Sequence, residues 1–302
     1  MNNNDYPILQ FGKDFFYSKK ETILTGKRIK KLVETKDGEA ILKYPPNNYI
    51  TSEVCSEKIA HELANKLNFD CARIELAECE DGTIGILSFL FVSPPNITHT
   101  DASAILKTPD TNNPSRSTYY TLSNIERSLN RIDAHLFRYF MRIMVFDALI
   151  GEQDRHEENW GILDKNGIKE ISPLYDNGDS LVRDLAAERA ITEYSSGIKR
   201  FDDYINRSRT CIYKEPSLIK EGESHKYKHF EMIDRLLTLY PALIQDDLAK
   251  ISSLDDNEIV DIVSCIPEQL LTGLHKSYII KYITKRKQIL TEKLNNFQKG
   301  LY

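Results

Sequence analysis

Residues 134–150 contain a dense run of large apolar side chains, and this run limits the fold more than any other part of the sequence. The run contains Leu136, Phe137, Phe140, Met141, Met144, Val145, Phe146 and Leu149. It is shorter than the stretch of about 20 apolar residues that a membrane helix needs. The sequence therefore predicts a buried helix, Ala134 to Ile150, at the centre of a helical unit. Gly151 follows it directly, where a glycine commonly ends a helix.

The loop after this helix holds an acid and an amide at the spacing that kinases use for phosphoryl transfer. Four residues separate Asp154 from Asn159, and Asp176 begins an Asp-Asn-Gly turn seventeen residues after Asn159. In kinases one carboxylate takes or orients the proton of the attacking hydroxyl, while an amide oxygen and a second carboxylate hold magnesium on the phosphates. Each residue alone is more simply a loop or turn residue. The three together make a kinase the leading interpretation, with Asp154 catalytic and Asn159 and Asp176 as magnesium ligands.

Lys43 is a candidate phosphate-binding residue. It ends the strand-like segment Ala40–Lys43, and a strand lysine can neutralise the α- and β-phosphates of ATP when a carboxylate fixes its position. Glu57, in the first turns of the following helix, is the preferred partner. Glu53 lies one turn earlier on the same helix and is the alternative.

Residues 1–93 are predicted to form a mainly β, nucleotide-binding lobe with one helix. Asp37-Gly38 and Asp81-Gly82 each separate two strand-like runs, which is typical of hairpins. The helix between the hairpins begins near Thr51–Glu53, and Ile59, Leu63 and Leu67 give it one apolar stripe. Pro94-Pro95 ends the last strand, so residues 94–302 are predicted to form a helical catalytic lobe. The predicted fold class is α+β.

The second part of the chain is predicted to contain one hairpin and a helical bundle. Asn166-Gly167 would turn a hairpin that returns Asp176 beside Asn159, and amphipathic helices are expected from about residue 226 onward. Residues 96–118 are rich in Thr, Ser, Asn, Asp and Pro and are predicted to be a long surface loop. Ser115, Ser117 and Thr118 are either solvated residues of that loop or an autophosphorylation segment.

Composition excludes several functional classes. The formal net charge of −5 gives no reason to expect nucleic-acid binding, and the basic runs at 27–31 and 285–287 are interpreted as solvated faces. The five cysteines form no Cys-x-x-Cys pair, which argues against a disulfide framework or a zinc site and favours reduced cytosol. The first residues lack the pattern of a signal peptide, so a soluble protein is expected.

Three neighbours of the candidate catalytic residues have other expected roles. His156 is interpreted as structural, packed inside the loop and hydrogen-bonded to main-chain carbonyls. Trp160, the single tryptophan, is interpreted as a core anchor for the loop. Arg155 either pairs with a nearby carboxylate or contacts phosphate, and the sequence leaves both roles open.

Three segments together resemble a known family. Ile41–Pro45, Asp154–Gly161 and Pro173–Gly178 closely resemble the C-terminal kinase domain of the HipA-like family, especially its short stand-alone members such as the HipT toxins and the secreted CtkA-type kinase. The resemblance covers roughly residues 20–295. It implies a two-lobed protein-kinase-like fold and an ATP- and Mg²⁺-dependent Ser/Thr protein kinase that autophosphorylates. It also places the adenine near Phe89–Ser93, between the lobes.

The sequence departs from that family in two ways. Longer members carry an additional N-terminal domain, whereas almost nothing precedes the small lobe here. Many members have a Gly-rich phosphate loop with a phosphorylated serine, whereas residues 22–28 contain one glycine and no serine. Backbone amides of Gly26 and Lys27 are the candidate phosphate contacts, and Thr22 or Thr25 would have to replace the serine.

Other functions and partners follow from the same motifs. Phosphoinositide kinases also use an Asp-Arg-His-x-x-Asn loop, so a lipid or small-molecule kinase is one alternative, and a non-catalytic pseudokinase is another. The expected partners are a protein substrate with Ser or Thr and, for a toxin, an antitoxin; no nucleic acid and no membrane are expected. The expected location is the bacterial cytoplasm, or a host cell reached without a classical signal peptide if the protein is an effector.

Overall fold

The computed structural model describes residues 5–20, 29–45, 52–106, 115–182 and 188–301. Its amino-terminal part contains a six-stranded sheet formed by β1 (Ile8–Gln10), β2 (Phe15–Tyr17), β3 (Lys30–Thr35), β4 (Gly38–Lys43), β5 (Ile74–Glu78) and β6 (Ile84–Phe89). The strand order is β1-β5-β6-β4-β3-β2. β1 is parallel to β5, and the other neighbours are antiparallel.

Both predicted hairpins and the predicted helix are present in this region. Thr35 pairs with Gly38 in the β3–β4 hairpin, and the β5–β6 hairpin is also antiparallel. Helix α1 (Ser52–Lys66) follows β4 in the chain, and Ile59 and Leu63 of its apolar stripe are fully buried. The predicted order of two strands, a helix and two strands is confirmed. The sequence did not predict β1 and β2, because strands of 3 residues are too short to show an alternating pattern.

The sheet is covered by apolar side chains on both faces. One face carries a small cluster of Phe15, Val33, Ala40, Leu42, Ala77, Cys79, Leu87 and Phe89. On the other face α1 packs against β5 and β6. Leu76 and Ile86 of these strands belong to a large buried cluster that continues into the helical part of the chain. Packing on both faces fixes β4, the strand that ends at Lys43.

Helices make up most of the second part. They are α2 (Ala102–Leu106), α3 (Arg116–Tyr119), α4 (Leu122–Asn130), α5 (Ala134–Ile150), α6 (Glu188–Ser195), α7 (Ile198–Arg207), α8 (His229–Leu239), α9 (Pro241–Ser253), α10 (Asp256–Ser264) and α11 (Gly273–Gln298). Helices α4, α8, α9 and α11 pack against α5. The predicted buried central helix and the predicted bundle after residue 226 are therefore confirmed.

The region 96–118 is not a continuous loop. β7 (Ile97–Asp101) pairs antiparallel with β8 (Gly161–Lys165), which pairs with β9 (Ile168–Ile171) in the predicted hairpin. β7 lies at the edge of this sheet, and its side chains are exposed or half-buried. An edge strand is held by the hydrogen bonds of its main chain, so its sequence need not show an apolar pattern. The loop interpretation is wrong for residues 97–106 and 116–118, and residues 107–114 lie outside the described part.

A second short sheet was also not predicted. It consists of β10 (Arg209–Tyr213) and β11 (Lys226–Lys228), which pair antiparallel. β10 brings Cys211 close to the loop after α5, where its thiol donates to the carbonyl of Gln153 at 3.2 Å.

One of the two basic runs was misinterpreted. Arg286, in the middle of the run 285–287, is fully buried rather than solvated. Its Nε donates to the carbonyl of Ala148 at 2.8 Å, and its Nη1 donates to Oγ of Ser208 at 2.7 Å. A run of basic residues in the sequence does not show which of them lies on the buried face of a helix, and this is why Arg286 was misinterpreted.

All five cysteines are free thiols, as the sequence predicts. In the described ranges, no helix is both long and apolar enough to cross a membrane.

Candidate active site

Lys43 lies between two carboxylates that are distant from it in the chain. Its Nζ donates to Oε1 of Glu57 at 3.0 Å and to Oδ1 of Asp176 at 2.9 Å, and the lysine is 8% exposed. Burial acts to lower the pKa of Lys43, but the two carboxylates outweigh it and raise that pKa above its ordinary value. The ammonium is thus charged and fixed in direction before any ligand binds.

Glu57 also fixes the turn that carries Asp176. Its Oε2 accepts the main-chain N–H of Asn177 at 2.9 Å, so one carboxylate holds both the lysine and the turn. Asp176 has a positive φ of 55°, a conformation that Asp tolerates better than most residues. Glu53 packs beside Gly178, where an added Cβ would lie 2.6 Å from its Cγ. The structure therefore pairs Lys43 with Glu57 and gives Glu53 a place beside the turn.

Arg155 joins the two loops that hold the candidate magnesium ligands. Its Nη1 donates to the carbonyls of Asn159 at 3.1 Å and Tyr175 at 2.6 Å, and its Nη2 donates to Oδ1 of Asn177 at 2.5 Å. The side chain is 1% exposed and forms an ion pair of 3.0 Å with Asp147 of α5. Of the two roles left open by the sequence, pairing with a carboxylate is the one that the structure shows.

Asp154 combines a fixed main chain with an accessible side chain. Its N–H donates to Oε1 of Glu152 at 2.7 Å, and its carbonyl accepts from Nδ2 of Asn159 at 2.8 Å. The side chain is 49% exposed, so the carboxylate can meet a hydroxyl group from solution while its Cα is held in place. This is the combination that a proton-accepting or hydroxyl-orienting group needs.

The side chain of Asn159 is hydrogen-bonded to the main chain of Asp154. Because its Nδ2 donates to Asp154, its Oδ1 is directed elsewhere. Amide and carboxylate oxygens are the hard donors that Mg²⁺ prefers, and Asn159 and Asp176 supply one of each. Their loops are joined through Arg155. The donor chemistry fits a magnesium ion that these two side chains would share with the phosphates of ATP.

The side chain of His156 is hydrogen-bonded within the loop, but its partner differs from the main-chain carbonyls that were expected. It accepts the N–H of Glu158 through Nδ1 at 3.1 Å, whereas the sequence interpretation gave it main-chain carbonyls as partners. Its Nε2 lies 3.8 Å from Oδ2 of Asp154. An acceptor at Nδ1 places the ring proton on Nε2, the nitrogen that faces Asp154.

Trp160 is the expected core anchor. It is 1% exposed and its ring lies 4.5 Å from that of Phe140 on α5. Its Nε1 donates to the hydroxyl of Tyr120 at 2.8 Å, and that hydroxyl donates to the carbonyl of Arg155 at 2.7 Å. The loop from 151 to 161 is therefore attached to the core at Arg155 and at Trp160.

Sequence reasoning missed several residues that shape this site. Asn177 is buried and bonds to both Arg155 and Glu57, although its position beside Asp176 could have suggested a structural role. Phe91 lies in the segment already assigned to adenine, but the contact of its ring with that of Tyr175, 5.5 Å between centroids, was not predicted. Glu152 and His229 were also missed, because a buried glutamate and a buried histidine leave no local pattern in a sequence. Gly26 and Lys27, the candidate phosphate contacts, lie outside the described residues, as do Thr22 and Thr25.

Comparison with known proteins decides the family. The model of the HipA-like C-terminal domain matches residues 22–219, well over half of the chain. This chain belongs to the HipA-like C-terminal domain family.

A curated relative is the serine/threonine-protein kinase CtkA of Helicobacter pylori, with 26% identity over 164 residues. The match covers 49% of this chain and 43% of CtkA, so the chain spans less than half the length of the curated relative that it matches.

The crystal structure of a Helicobacter pylori proinflammatory kinase CtkA shares the fold. It superposes with a TM-score of 0.80 at 19% identity, covering 98% of this chain and 99% of that one. The two-lobed kinase-like fold predicted from the sequence is therefore confirmed. A HipA chain from a Shewanella oneidensis complex with HipB and operator DNA superposes with a TM-score of 0.47 at 13% identity, covering 92% of this chain and 66% of that one.

The matched HipA-like region ends at residue 219. His229 and Arg286 lie beyond it, yet both reach back to the part of the chain around Asp154: His229 contacts the carbonyl of Glu152, and Arg286 contacts the last turns of α5.

Proposed function

We propose that the protein is an ATP- and Mg²⁺-dependent Ser/Thr protein kinase of the HipA-like type. The observation that carries this proposal is the position of Lys43, buried between Glu57 and Asp176, residues 14 and 133 positions away in the chain. A charged lysine fixed beside a metal-type carboxylate is the arrangement that binds the phosphates of ATP. The relative CtkA is a serine/threonine-protein kinase, which supports the same function.

Each candidate residue then has a separate task. Lys43 offsets negative charge on the transferred phosphoryl group, in a place where burial strengthens the interaction. Asp154 orients the acceptor hydroxyl and takes its proton, while its main chain stays fixed. Asn159 and Asp176 would hold Mg²⁺, which would supply positive charge to offset the negative charge of the phosphates. The segment Phe89–Ser93 contacts the adenine, and Gly26 and Lys27 contact the phosphates through their amides.

The finer assignments are part of the same proposal. The lobes divide near residue 93, with residues 1–93 binding nucleotide and residues 94–302 carrying Asp154. The kinase autophosphorylates and acts as a toxin or a secreted effector. A toxin would work in the bacterial cytoplasm with an antitoxin partner, and an effector would act on a host protein.

The test compares wild type with Asp154→Asn, using γ-labelled ATP, Mg²⁺ and phosphosite mapping. We expect label on Ser or Thr of the wild type and none on the variant, since Asn cannot accept the hydroxyl proton. The variant should bind Mg-ATP with nearly the wild-type Kd. Asp176→Asn should instead weaken nucleotide binding in Mg²⁺ while changing it little in EDTA.

Two results would contradict this proposal. Near-normal turnover by Asp154→Asn would show that the residue roles are wrong. If wild type binds Mg-ATP but labels neither itself nor generic protein substrates, a lipid or small-molecule acceptor should be tried next. The absence of transfer to those acceptors would favour a non-catalytic pseudokinase.

A further inference from the structure

Glu152 is a buried acid whose contacts are not accounted for by the phosphoryl-transfer roles described above. It is 0% exposed, and its Oε1 accepts the N–H of Asp154 at 2.7 Å. Its other oxygen, Oε2, has no hydrogen-bond partner in the described structure. Burying a carboxyl with half of its bonding capacity unused costs free energy. A side chain kept there at a cost to stability is a candidate for a functional role.

The main chain on both sides of Glu152 is fixed by residues from elsewhere in the fold. The N–H of Gln153 donates to the carbonyl of Asp179 at 3.2 Å, and the carbonyl of Gln153 accepts from the thiol of Cys211 at 3.2 Å. The carbonyl of Glu152 accepts from Nε2 of His229 at 2.7 Å. The main-chain N–H of Asp154, the residue after Gln153, donates to the carboxyl of Glu152.

The directions of the bonds around His229 are determined by its partners. The carbonyl of Glu152 can only accept, so Nε2 carries the proton and Nδ1 is an acceptor. Oγ of Ser208 lies 3.0 Å from Nδ1 and 3.1 Å from the carbonyl of Ile205, and its one proton can go to either acceptor; Nη1 of Arg286 donates to the same Oγ at 2.7 Å. A connected set of hydrogen bonds therefore links Arg286 on α11 through Ser208 and His229 to Glu152.

We infer that Glu152 is a positioning residue for Asp154, and this inference rests on the proposed function. Its carboxyl oxygen holds the main chain of Asp154, and the chain of bonds from α8 and α11 holds Glu152. Glu152 itself touches neither nucleotide nor acceptor. What it supplies is a hydrogen-bond acceptor, not a charge.

A matched pair of variants tests this inference in the 302-residue chain. Glu152→Gln keeps an acceptor oxygen at the same reach, whereas Glu152→Met has the same length and fills the buried space without an oxygen acceptor. We expect Gln to retain most of the turnover and Met to lose it by up to about a hundredfold, because small displacements of a catalytic group have effects of that size. The Kd and KM for Mg-ATP should change less than twofold in both variants.

The KM and kcat results separate positioning from a merely structural role. Equal turnover of the Gln and Met variants would overturn the inference, as would a Met variant that loses ATP affinity and turnover in parallel. If the Met variant does not fold, the inference is tested by the hydrogen-exchange rate of the Asp154 amide in wild type and in Glu152→Gln. Protection in both wild type and Glu152→Gln supports the inference, and exchange at the rate of an open loop overturns it.

The outcome is distinguishable from failure of the proposed function. If wild type transfers phosphate and Asp154→Asn does not, the proposed function is supported. The Gln and Met variants then test only the role of Glu152. If wild type transfers nothing, the proposed function fails. The exchange rate of the Asp154 amide then still measures whether Glu152 holds it.

Discussion

The guanidinium of Arg155 and the carboxylate of Asp147 form an ion pair at 3.0 Å in which the side chains are 1% and 2% exposed. Asp147 belongs to the last turn of α5, whereas Arg155 bonds to the main chain at Asn159 and Tyr175. The pair thus attaches the two loops that carry the candidate magnesium ligands to the central helix. Its value is geometric, because a buried ion pair by itself contributes little net stability.

Breaking this pair should destabilise the protein strongly. Asp147→Asn leaves the Arg155 charge without its partner in a dry environment, and we expect a loss of about 3–5 kcal/mol in the free energy of unfolding. Arg155→Lys should cost a similar amount, since an ammonium cannot make the same set of bonds. Urea unfolding measures both changes.

An exposed pair provides the control for that experiment. Arg189 and Glu193 lie 3.1 Å apart with side chains 90% and 57% exposed. Arg189→Lys should leave the free energy of unfolding unchanged within error, because surface pairs contribute very little. A small effect of Asp147→Asn, similar to that of the control, would argue against the attaching role of Arg155.

Lys43 and Glu57 should behave as a coupled pair. Lys43→Met leaves Glu57, with its side chain 2% exposed, without a cation, so we expect lower stability and at least tenfold weaker Mg-ATP binding. Adding Glu57→Gln removes the unpaired charge and should recover about 1–3 kcal/mol of stability without restoring ATP binding. Independent, additive effects of the two substitutions on unfolding would contradict this coupling.

Gly151 should not tolerate a side chain. Its φ is 73°, and a Cβ there would overlap the hydroxyl of Tyr282 on α11. We expect Gly151→Ala to lower the free energy of unfolding by about 3 kcal/mol, from left-handed strain together with overpacking. Tyr282→Phe in the same background should recover part of that loss by removing the overlapping oxygen.

Gly167 serves to separate backbone strain from overpacking as causes of the expected loss at Gly151. Its φ is also positive, at 93°, but among the described residues no atom beyond its chain neighbours lies within 4 Å of an added Cβ. Gly167→Ala should show the cost of backbone strain alone, about 1–2 kcal/mol. If Gly151→Ala is no worse than Gly167→Ala, contact with Tyr282 does not constrain the start of the loop.

His229 should make stability depend on pH. Burial and the charge of Arg286 lower its pKa to about 3 in the folded protein, from 6.5. Between these values the unfolded state binds the extra proton, so the free energy of unfolding falls as pH decreases below 6.5. From pH 8 to pH 5 the contribution of His229 should decrease by about 2 kcal/mol.

A variant that does not titrate isolates this effect. His229→Gln keeps a donor for the carbonyl of Glu152 but has no ionisable group. The stability difference between wild type and this variant should shift by about 2 kcal/mol in favour of the variant between pH 8 and pH 5. A constant difference across that range, measured by urea unfolding, would show that His229 is not buried in its neutral form.

Much of the fold could be predicted because its signals are local. Gly38 and Gly82 indicate hairpin turns, Ile59 and Leu63 show a helical period, and the apolar run before Gly151 is a buried helix of the predicted length. β7 escaped prediction because it pairs through its main chain at a sheet edge, where side chains need not be apolar.

The sequence by itself determined which residues could carry the chemistry, since Asp154, Asn159 and Asp176 have a spacing that can be read along the chain. Only the tertiary structure decided how they are held. Pairing of Lys43 with Glu57, the bonds of Arg155 to two loops, and the burial of Glu152, His229 and Arg286 join residues far apart in sequence. A buried polar group is identified by the partners that satisfy it, and those partners are brought together only when the chain folds.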